Sequence, residues 1–387
     1  MKKKIAILGS TGSIGKTLLN ILRKDQKNFE IVLLTANNNY KLLSKQAKEF
    51  NVKNLILINK KKVNLLKQEI VNQNINVYNN FSNFNKIFKN KVNYTMSAIT
   101  GVNGLEPTLN IIKFTKKIAI ANKESIICGW NLINKELKMN KTEFIPVDSE
   151  HFSVWFGIQS LNILNIEKIF LTASGGPFHK LPLKEFRNIK ISHALKHPNW
   201  KMGKKISVDS ASMINKIYEV IEAKNIFNVN YKQIEILTHP KSYIHAILKF
   251  KNGLIKIIAH DTTMKIPIFN TLYINSDKKL KSKKIDITSL NNLNFKKIDI
   301  KRYPMAKILN LLPPKQSLFE TVIVSANDTL VELFLRDKIK FTDIHKKLFN
   351  IIKKKNFLRY RKKYPRKIED IINLNNYVRL KTLEDSI

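Results

Sequence analysis

The sequence predicts an α/β protein: a parallel sheet with helical crossovers at the N-terminus, a mixed α+β centre and a helical C-terminus. Three observations carry that prediction. Short apolar runs alternate with helix-like stretches through the first 150 residues, the pattern of a parallel sheet. A glycine-rich turn, Gly9 to Gly15, follows the first run and opens an amphipathic segment. Beyond about residue 166 strand-like runs include a hairpin, and after Pro313-Pro314 the signal is mainly helical.

The elements follow in order. Ile5–Leu8 is the first strand, and Lys16–Lys24 lies in the first helix. Glu30–Thr35 and Leu55–Ile58 are the next strands, followed by Met96–Ile99, Ile118–Ala121 and Phe144–Val147. Lys168–Thr172, Ile234–Leu237, Tyr243–Phe250 and Leu254–Ala259 are strand-like. The Lys251-Asn252-Gly253 turn makes the last two an antiparallel hairpin. The Lys-rich stretch Asp277–Lys284 reads as a linker or exposed loop, and Ser317–Arg336 and Thr342–Lys353 are the best C-terminal helices. The expected domains are 1–150, 151–275 and 299–387, with 276–298 as a linker.

Composition excludes several classes. A chain of 387 residues is too long for one ordinary domain. Hydrophobic content of 43% with 11 Gly and 11 Pro excludes collagen-like and largely disordered chains. The single cysteine, Cys128, allows no intramolecular disulfide framework and fits a reducing compartment. No uncharged apolar run approaches the ~18 residues of a membrane span, so no membrane partner is expected. The basic start Met1–Lys4 leads into an apolar run that stops at Gly9, short of the ~7–15 residues of a secretory core. A cytoplasmic protein is expected.

The net charge of +40 raises nucleic-acid binding first. The excess is spread evenly, however: 25 basic and 10 acidic residues in 1–150, 24 and 10 in 151–300, and 20 and 9 in the rest. Only 8 of the 69 basic residues are Arg, the residue suited to bidentate phosphate and guanine contacts. With 45 Asn beside the many Lys and Ile, the bias matches A- and T-rich codons. A solvated surface is the expectation, with no specific nucleic-acid partner.

Chemistry enters at the glycine turn. A strand that ends in a Gly-rich turn opening a helix aims backbone N–H groups at a phosphate. The spacing G-x-x-G-x-x-G is only moderately specific, and a plain tight turn would also fit. The second strand ends in Asn37-Asn38-Asn39, where NAD-binding chains usually place an acid; with no carboxylate to repel a 2′-phosphate, NADP is favoured over NAD. Later, Asp148 and Glu150 stand two apart after a strand, so an extended backbone would send both carboxylates to one side. Such a pair suits Mg2+ or Mn2+, although a helix cap plus a surface acid would read the same way. Farther on come Ser174-Gly175-Gly176-Pro177, His197-Pro198-Asn199-Trp200 and Ser207–Lys216. On a helix Asn215, Lys216 and Glu219 would share neighbouring faces. Each of these also has a bland alternative as a turn, an exposed aromatic or a surface pair.

Taken together these segments resemble the 1-deoxy-D-xylulose 5-phosphate reductoisomerase family. The resemblance rests on Gly9–Gly15, Asn122-Lys123-Glu124-Ser125, Pro146–His151, Ser174–Phe178, His197–Trp200 and Lys205–Lys216. It continues through Arg302-Tyr303-Pro304, Ala326-Asn327-Asp328 and Phe341–Ile344, leaving only the last forty or so residues weak. It implies a homodimer with a Rossmann-like NADPH-binding domain at 1–150, a catalytic domain at 151–275 and a helical domain at 299–387. The implied cofactors are NADPH and Mg2+ or Mn2+, with Co2+ as a further option. The sugar phosphate 1-deoxy-D-xylulose 5-phosphate would be rearranged and reduced to 2-C-methyl-D-erythritol 4-phosphate, in non-mevalonate isoprenoid precursor synthesis.

By motif position, Thr11, Gly12, Ser13, Ile14, Asn37, Asn38, Asn39, Asn122, Glu124 and Gly203 would meet the cofactor. Asp148, Glu150 and Glu219 would bind the metal. Lys123, Ser149, Glu150, Ser174, His197, Ser210, Asn215, Lys216 and Glu219 would meet the substrate, with Lys123, Glu150 and His197 catalytic. Residues 193–205, with Trp200 and Met202, resemble a lid. One position departs from the family: its cofactor turn commonly reads Gly-Lys-Asn, whereas this chain has Asn38 where the Lys would be. The expected result is a narrower preference for NADPH, with Lys41 near enough in sequence to supply charge. The competing readings are another NADP-linked dehydrogenase, of semialdehyde or homoserine type, and a basic nucleic-acid-binding protein.

Overall fold

The computed structural model describes residues 2–71, 74–159, 163–284 and 287–386. Met1 of the basic start and residues 285–286 of the expected linker lie outside them, as do 72–73, 160–162 and 387 of the expected domains. Backbone contacts divide the chain into two units. The first holds residues 1–125, 132–148 and 264–280; the second holds 126–131, 149–263 and 281–387.

Among the described residues the first unit is built on seven strands: β1 Lys3–Leu8, β2 Phe29–Ala36, β3 Asn54–Leu57, β4 Asn76–Tyr78, β5 Tyr94–Ser97, β6 Lys117–Ile120 and β7 Glu143–Pro146. Every pairing is parallel, in the order β4-β3-β2-β1-β5-β6-β7. Ile5 to Leu8 are all fully buried, so β1 is apolar on both faces rather than alternating, as a central parallel strand must be. Helix α1, Ser13–Leu22, buries Leu18, Leu19 and Leu22 in the same core as Ile5, Ile7, Leu34 and Met96. Strand β4 escaped the sequence reading because Asn76-Val77-Tyr78 offers a single aliphatic residue. Strand order reverses at β1, so the crevice at the carboxyl ends of β1 and β5 is the topological switch point, where such sheets bind ligands.

The boundary expected at 275 falls differently in this division. The helix Lys265–Tyr273 belongs with the first unit, where Ile268 and Tyr273 enter its core. Tyr273 Oη donates to Asp25 Oδ2 at 2.8 Å, and the Tyr94 and Thr271 hydroxyls meet at 2.7 Å. An apolar helix face reads the same whichever core it joins, so sequence alone cannot assign it.

The second unit holds β8 Ile166–Ala173, β9 Ile234–Thr238, β10 Ile244–Phe250, β11 Ile255–Ala259 and the two-residue β12 Lys296–Lys297, in the order β11-β10-β8-β9-β12. β8 and β9 run parallel, and β10–β11 is the expected antiparallel hairpin. A C-terminal helix, Phe319–Leu335, is buried on most sides, with Phe319, Val322, Ile323, Leu330 and Phe334 in the core. Just ahead of it, Ser317 donates its hydroxyl at 2.6 Å and its N–H at 3.1 Å to Glu320 Oε2. The helix Phe341–Ile352 follows it.

Candidate active site

At the carboxyl end of β1 the backbone itself lines the turn that opens helix α1. Gly9 has φ +84°, and its N–H donates to Thr35 Oγ1 at 2.8 Å. A Cβ on Gly9 would sit 2.8 Å from the Ala98 carbonyl oxygen, and one on Gly15 would sit 2.5 Å from that of Gly9. Both positions therefore require glycine. The turn is pinned from the far side, where Ser10 Oγ donates to Gln46 Oε1 at 2.8 Å and Gln46 Nε2 donates to the Ser10 carbonyl at 3.1 Å. Helix α1 starts at Ser13 with Gly12 as its cap and no acid in its first turn. Thr11, Gly12, Ser13 and Ile14 thus line a helix N-terminus whose N–H groups and dipole suit a pyrophosphate. Asn37, Asn38 and Asn39 are exposed at the end of β2, with the Asn39 side chain accepting the Leu42 N–H at 3.2 Å.

The end of β6 carries the next group. Asn122 caps the helix Lys123–Met139 by accepting the Ser125 N–H at 3.0 Å, while its amide donates to the Ile99 carbonyl and, at 2.9 Å, to that of Gly101. Glu124 is buried in the first turn of that helix. Lys123, also buried, forms an ion pair with Asp148 at 3.0 Å.

Asp148 and Glu150 do not lie on an extended strand, which corrects the backbone geometry assumed for their spacing. β7 ends at Pro146, and Ser149–Gly157 is helical, so Glu150 sits in a first helical turn. The Asp148-Ser149 step of the sequence is a helix start, the alternative that an isolated D-x-E always carries. Chain continuity still keeps the two backbones within roughly 7 Å. Asp148 closes the first unit and Glu150 lies at the start of the second.

In the second unit the charge is concentrated and buried. Lys216 Nζ donates to Glu150 Oε1 at 2.6 Å and to Glu219 Oε2. Asn215 Nδ2 donates to Glu219 Oε1 at 2.6 Å, and Ser149 Oγ to Glu150 Oε2 at 2.6 Å. Burial works against charging Lys216, but the two carboxylates outweigh it and hold the ammonium above its ordinary pKa. Oxygens of Glu150 and Glu219 lie within 4.8 Å of one another, so two carboxylates share one cation. Two hard anionic oxygens with one compensating charge fit a divalent ion of the Mg2+ or Mn2+ type. His151, fully buried, donates from Nε2 to the Glu219 carbonyl at 2.8 Å and faces Glu222 at 3.4 Å, which fixes the helix that carries Glu219. The sequence reading quoted His151 without giving it that part.

Ser174 follows β8 in a turn where Gly175 and Gly176 have φ +80° and +63°. The Arg302-Tyr303 pair buttresses it. Tyr303 Oη donates to the Gly175 carbonyl at 2.7 Å, and the Arg302 guanidinium donates to the Phe178 and Leu181 carbonyls at 2.7 and 2.5 Å. Ala326-Asn327-Asp328 has the same kind of role for the helix Lys204–Ala211, which carries Ser210. Asn327 donates to Asp209 at 2.8 Å, and Lys205 bridges Asp209 and Asp328 at 3.2 and 2.9 Å. Met213, buried at φ 71°, turns the chain between that helix and Ile214–Phe227, which presents Asn215, Lys216 and Glu219.

The segment expected to be a lid is tethered. His197 Nδ1 accepts the N–H groups of Asn199 and Trp200 at 3.2 and 3.0 Å, so its Nε2 carries the proton and donates to Ser174 Oγ at 3.0 Å. Burial lowers the His197 pKa to about 4, so the ring is neutral near pH 7. The Gly176 N–H also donates to Ser174 Oγ at 3.0 Å, which leaves the hydroxyl proton to point elsewhere. Asn199 Nδ2 ties the segment to the Pro240 carbonyl and Ser242 Oγ at 2.6 and 2.8 Å. Trp200 is partly buried, its ring edge-to-face with buried His245 at 6.0 Å, and His245 in turn stacks on His260 at 3.7 Å. Gly203 is exposed and caps the helix that follows. Trp200, His245 and His260 meet from three separate segments, and no local pattern in the sequence announces the pair of histidines.

Comparison with known proteins finds one family along the whole chain. Three family profiles match in order: 1-deoxy-D-xylulose 5-phosphate reductoisomerase over residues 5–129, its C-terminal domain over 144–227, and the DXP reductoisomerase C-terminal domain over 261–381. The chain is 61% identical to the 1-deoxy-D-xylulose 5-phosphate reductoisomerase of Pelagibacter ubique (strain HTCC1062) over 387 residues, all of both chains. It is 38% identical to that of Wolbachia pipientis wMel over 347 residues, 88% of each. The Zymomonas mobilis enzyme in complex with NADPH superposes with a TM-score of 0.88 at 30% identity, covering 99% of both chains. A DOX-P reductoisomerase with NADPH, fosmidomycin and magnesium gives 0.90 at 28% identity, covering 99% of this chain and 98% of that one. The chain belongs to the 1-deoxy-D-xylulose 5-phosphate reductoisomerase family.

Proposed function

We propose that the residues described above carry the family's reaction in this chain: rearrangement of 1-deoxy-D-xylulose 5-phosphate and its NADPH-dependent reduction to 2-C-methyl-D-erythritol 4-phosphate. The observation that carries the reading is the buried carboxylate pair, Glu150 and Glu219, sharing the ammonium of Lys216. When bound, a divalent metal held by Asp148, Glu150 and Glu219 supplies charge stabilisation at adjacent substrate oxygens, and NADPH supplies the hydride. Asn215 and Lys216 orient the carboxylates and offer an amide and an ammonium to the substrate. Ser149 steadies Glu150, which is suited to moving a proton beside its metal role. Lys123, paired with Asp148, adds positive charge and can shuttle a proton.

Ser174, Ser210, Asn215 and Lys216 are assigned to the substrate phosphate. His197, expected to be catalytic, is better read as a positioning group. A neutral ring that donates to Ser174 Oγ turns that hydroxyl outward and does not change its charge near pH 7. Thr11, Gly12, Ser13, Ile14, Asn37, Asn38, Asn39, Asn122, Glu124 and Gly203 are assigned to NADPH. Residues 193–205 are assigned to a cover that excludes water when substrate binds. In this scheme 1–150, joined by the helix Lys265–Tyr273, is the cofactor domain, 151–263 the catalytic domain and 299–387 the helical domain.

A homodimer is part of the proposal. β11 is an edge strand of its sheet, and Leu254, Ile255 and Ile257 are 65%, 60% and 52% exposed there. An apolar sheet edge of this kind suits a second copy. The cytoplasm is the proposed compartment, in keeping with one buried cysteine; among the described residues no helix is long and apolar enough to cross a membrane. The reaction is tested by following NADPH absorbance with 1-deoxy-D-xylulose 5-phosphate, with and without Mg2+. Oxidation that needs both supports the reading, whereas oxidation indifferent to metal favours an ordinary NADP-linked dehydrogenase.

A further inference from the structure

Asn38 stands where the family commonly has a cofactor-selecting Lys, yet the loop is not short of positive charge. Beyond their last paired residues β2 and β3 stay zipped: the Ile58 N–H donates to the Ala36 carbonyl and the Asn59 N–H to that of Asn37, both at 3.1 Å. Asn59 then does two things. Its Oδ1 accepts the Lys61 N–H at 3.1 Å, capping a single turn of 3-10 helix, Lys60–Lys62. Its Nδ2 donates to Asn38 Oδ1 at 2.6 Å, which turns the Asn38 acceptor inward and leaves the Asn38 amide as a donor. The turn brings Lys62 back across the loop, where its Nζ donates to the Asn38 carbonyl at 3.3 Å. Lys62 is partly buried, so its stem is held in place. Between Ala36 and Val63 the only acid is Glu49, and that carboxylate is engaged by Arg23.

We propose that Lys62 is the specificity-determining cation for the cofactor's 2′-phosphate, supplied by the third strand's loop in place of the Lys missing from the second. The proposal rests on the NADPH reading above. One ammonium hydrogen is spent on the Asn38 carbonyl, and two remain to meet a phosphate at the end of β2, where the adenine ribose of a dinucleotide lies. The Asn38 amide supplies a neutral donor beside them. Lys41, the residue the sequence suggested, is exposed on the first turn of its helix. Lys60 and Lys61 are exposed as well.

The test uses ligand binding rather than turnover. Adenosine 2′,5′-bisphosphate and adenosine 5′-monophosphate, which differ only in the 2′-phosphate, are titrated calorimetrically into the wild-type chain and into Lys62→Gln, Lys62→Arg and Lys61→Gln. The wild type should bind the 2′-phosphorylated probe more tightly. Lys62→Gln should weaken that probe by about tenfold or more, the worth of a charged hydrogen bond, and leave the monophosphate unchanged. Lys62→Arg should retain most of the preference, and Lys61→Gln should change it by less than about twofold. A wild type that prefers the 2′-phosphorylated probe together with an unaltered Lys62→Gln protein overturns the assignment to Lys62 while sparing the NADPH reading. Equal weakening of both probes also overturns it, since Lys62 would then only shape the loop. A wild type indifferent to the 2′-phosphate overturns the NADPH reading itself.

Discussion

The glycine turn of the first unit and the carboxylate cluster of the second present charge by opposite means. At the Gly9–Gly15 turn the groups on offer are backbone N–H donors, and the side chains that matter are the absent ones: a Cβ at Gly15 would lie 2.5 Å from a carbonyl oxygen. At Glu150, Lys216 and Glu219 the binding groups are ionised side chains taken out of water. Backbone recognition costs little desolvation and is fixed by a contiguous stretch of chain. Side-chain recognition is strong because burial magnifies it, and fragile because each charge depends on its partners.

That contrast predicts where substitutions hurt most. Glu219→Gln should lower turnover by about a hundredfold to a thousandfold, since it removes an anionic ligand and leaves Lys216 with one carboxylate fewer. NADPH binding, followed by fluorescence, should stay within about twofold, given that the effect is confined to the second unit's cluster. Undiminished turnover at low Mg2+ would take Glu219 out of the metal set and break the comparison at its strongest point.

Gly15→Ala probes the other end. The new methyl must displace backbone at Gly9 and Ser10, a strain of about 1–3 kcal/mol. NADPH affinity should fall roughly tenfold to a hundredfold, with a lowered melting temperature. A variant that binds NADPH normally would mean that the turn is not the pyrophosphate cradle.

Trp200→Ala should cost about tenfold in kcat/KM through a loosened cover. Its edge-to-face contact with His245 is worth about 1 kcal/mol, so the melting temperature should shift by only about 2 °C. A drop several times larger would reveal a core residue and no lid.

A pH dependence is expected away from both sites. Glu320 is fully buried, and burial pushes its pKa up to about 7 against the stabilising hydrogen bonds from Ser317. Its folded pKa lies above its unfolded value, so the folded state holds the proton more tightly. The stability this gives is complete below about pH 4.5 and is lost progressively as pH rises through about 7. Denaturant unfolding of Glu320→Gln should lack that decline, worth at most a few kcal/mol. A wild type whose stability profile matches that of Glu320→Gln from pH 5 to 8 would show Glu320 to be unshifted.

The sequence by itself determined the first unit's sheet almost completely. Six of its seven strands announce themselves as apolar runs, because a parallel strand covered on both faces has no polar positions to interrupt it. It determined the glycine turn too, since the requirement there is steric and local. The Asp148–Glu150 spacing was legible as a pair of ligand types but misleading as geometry: periodicity does not say whether two residues after a strand continue it or start a helix. Tertiary structure alone decided that Lys265–Tyr273 joins the first unit's core, that His260 stacks on His245, and that Lys62 rather than Lys41 reaches Asn38. The residues in each of those contacts look ordinary in their own neighbourhoods, even the two histidines that the hairpin brings together. An apolar helix face, a histidine or a run of three lysines acquires its meaning only from what the fold sets opposite it.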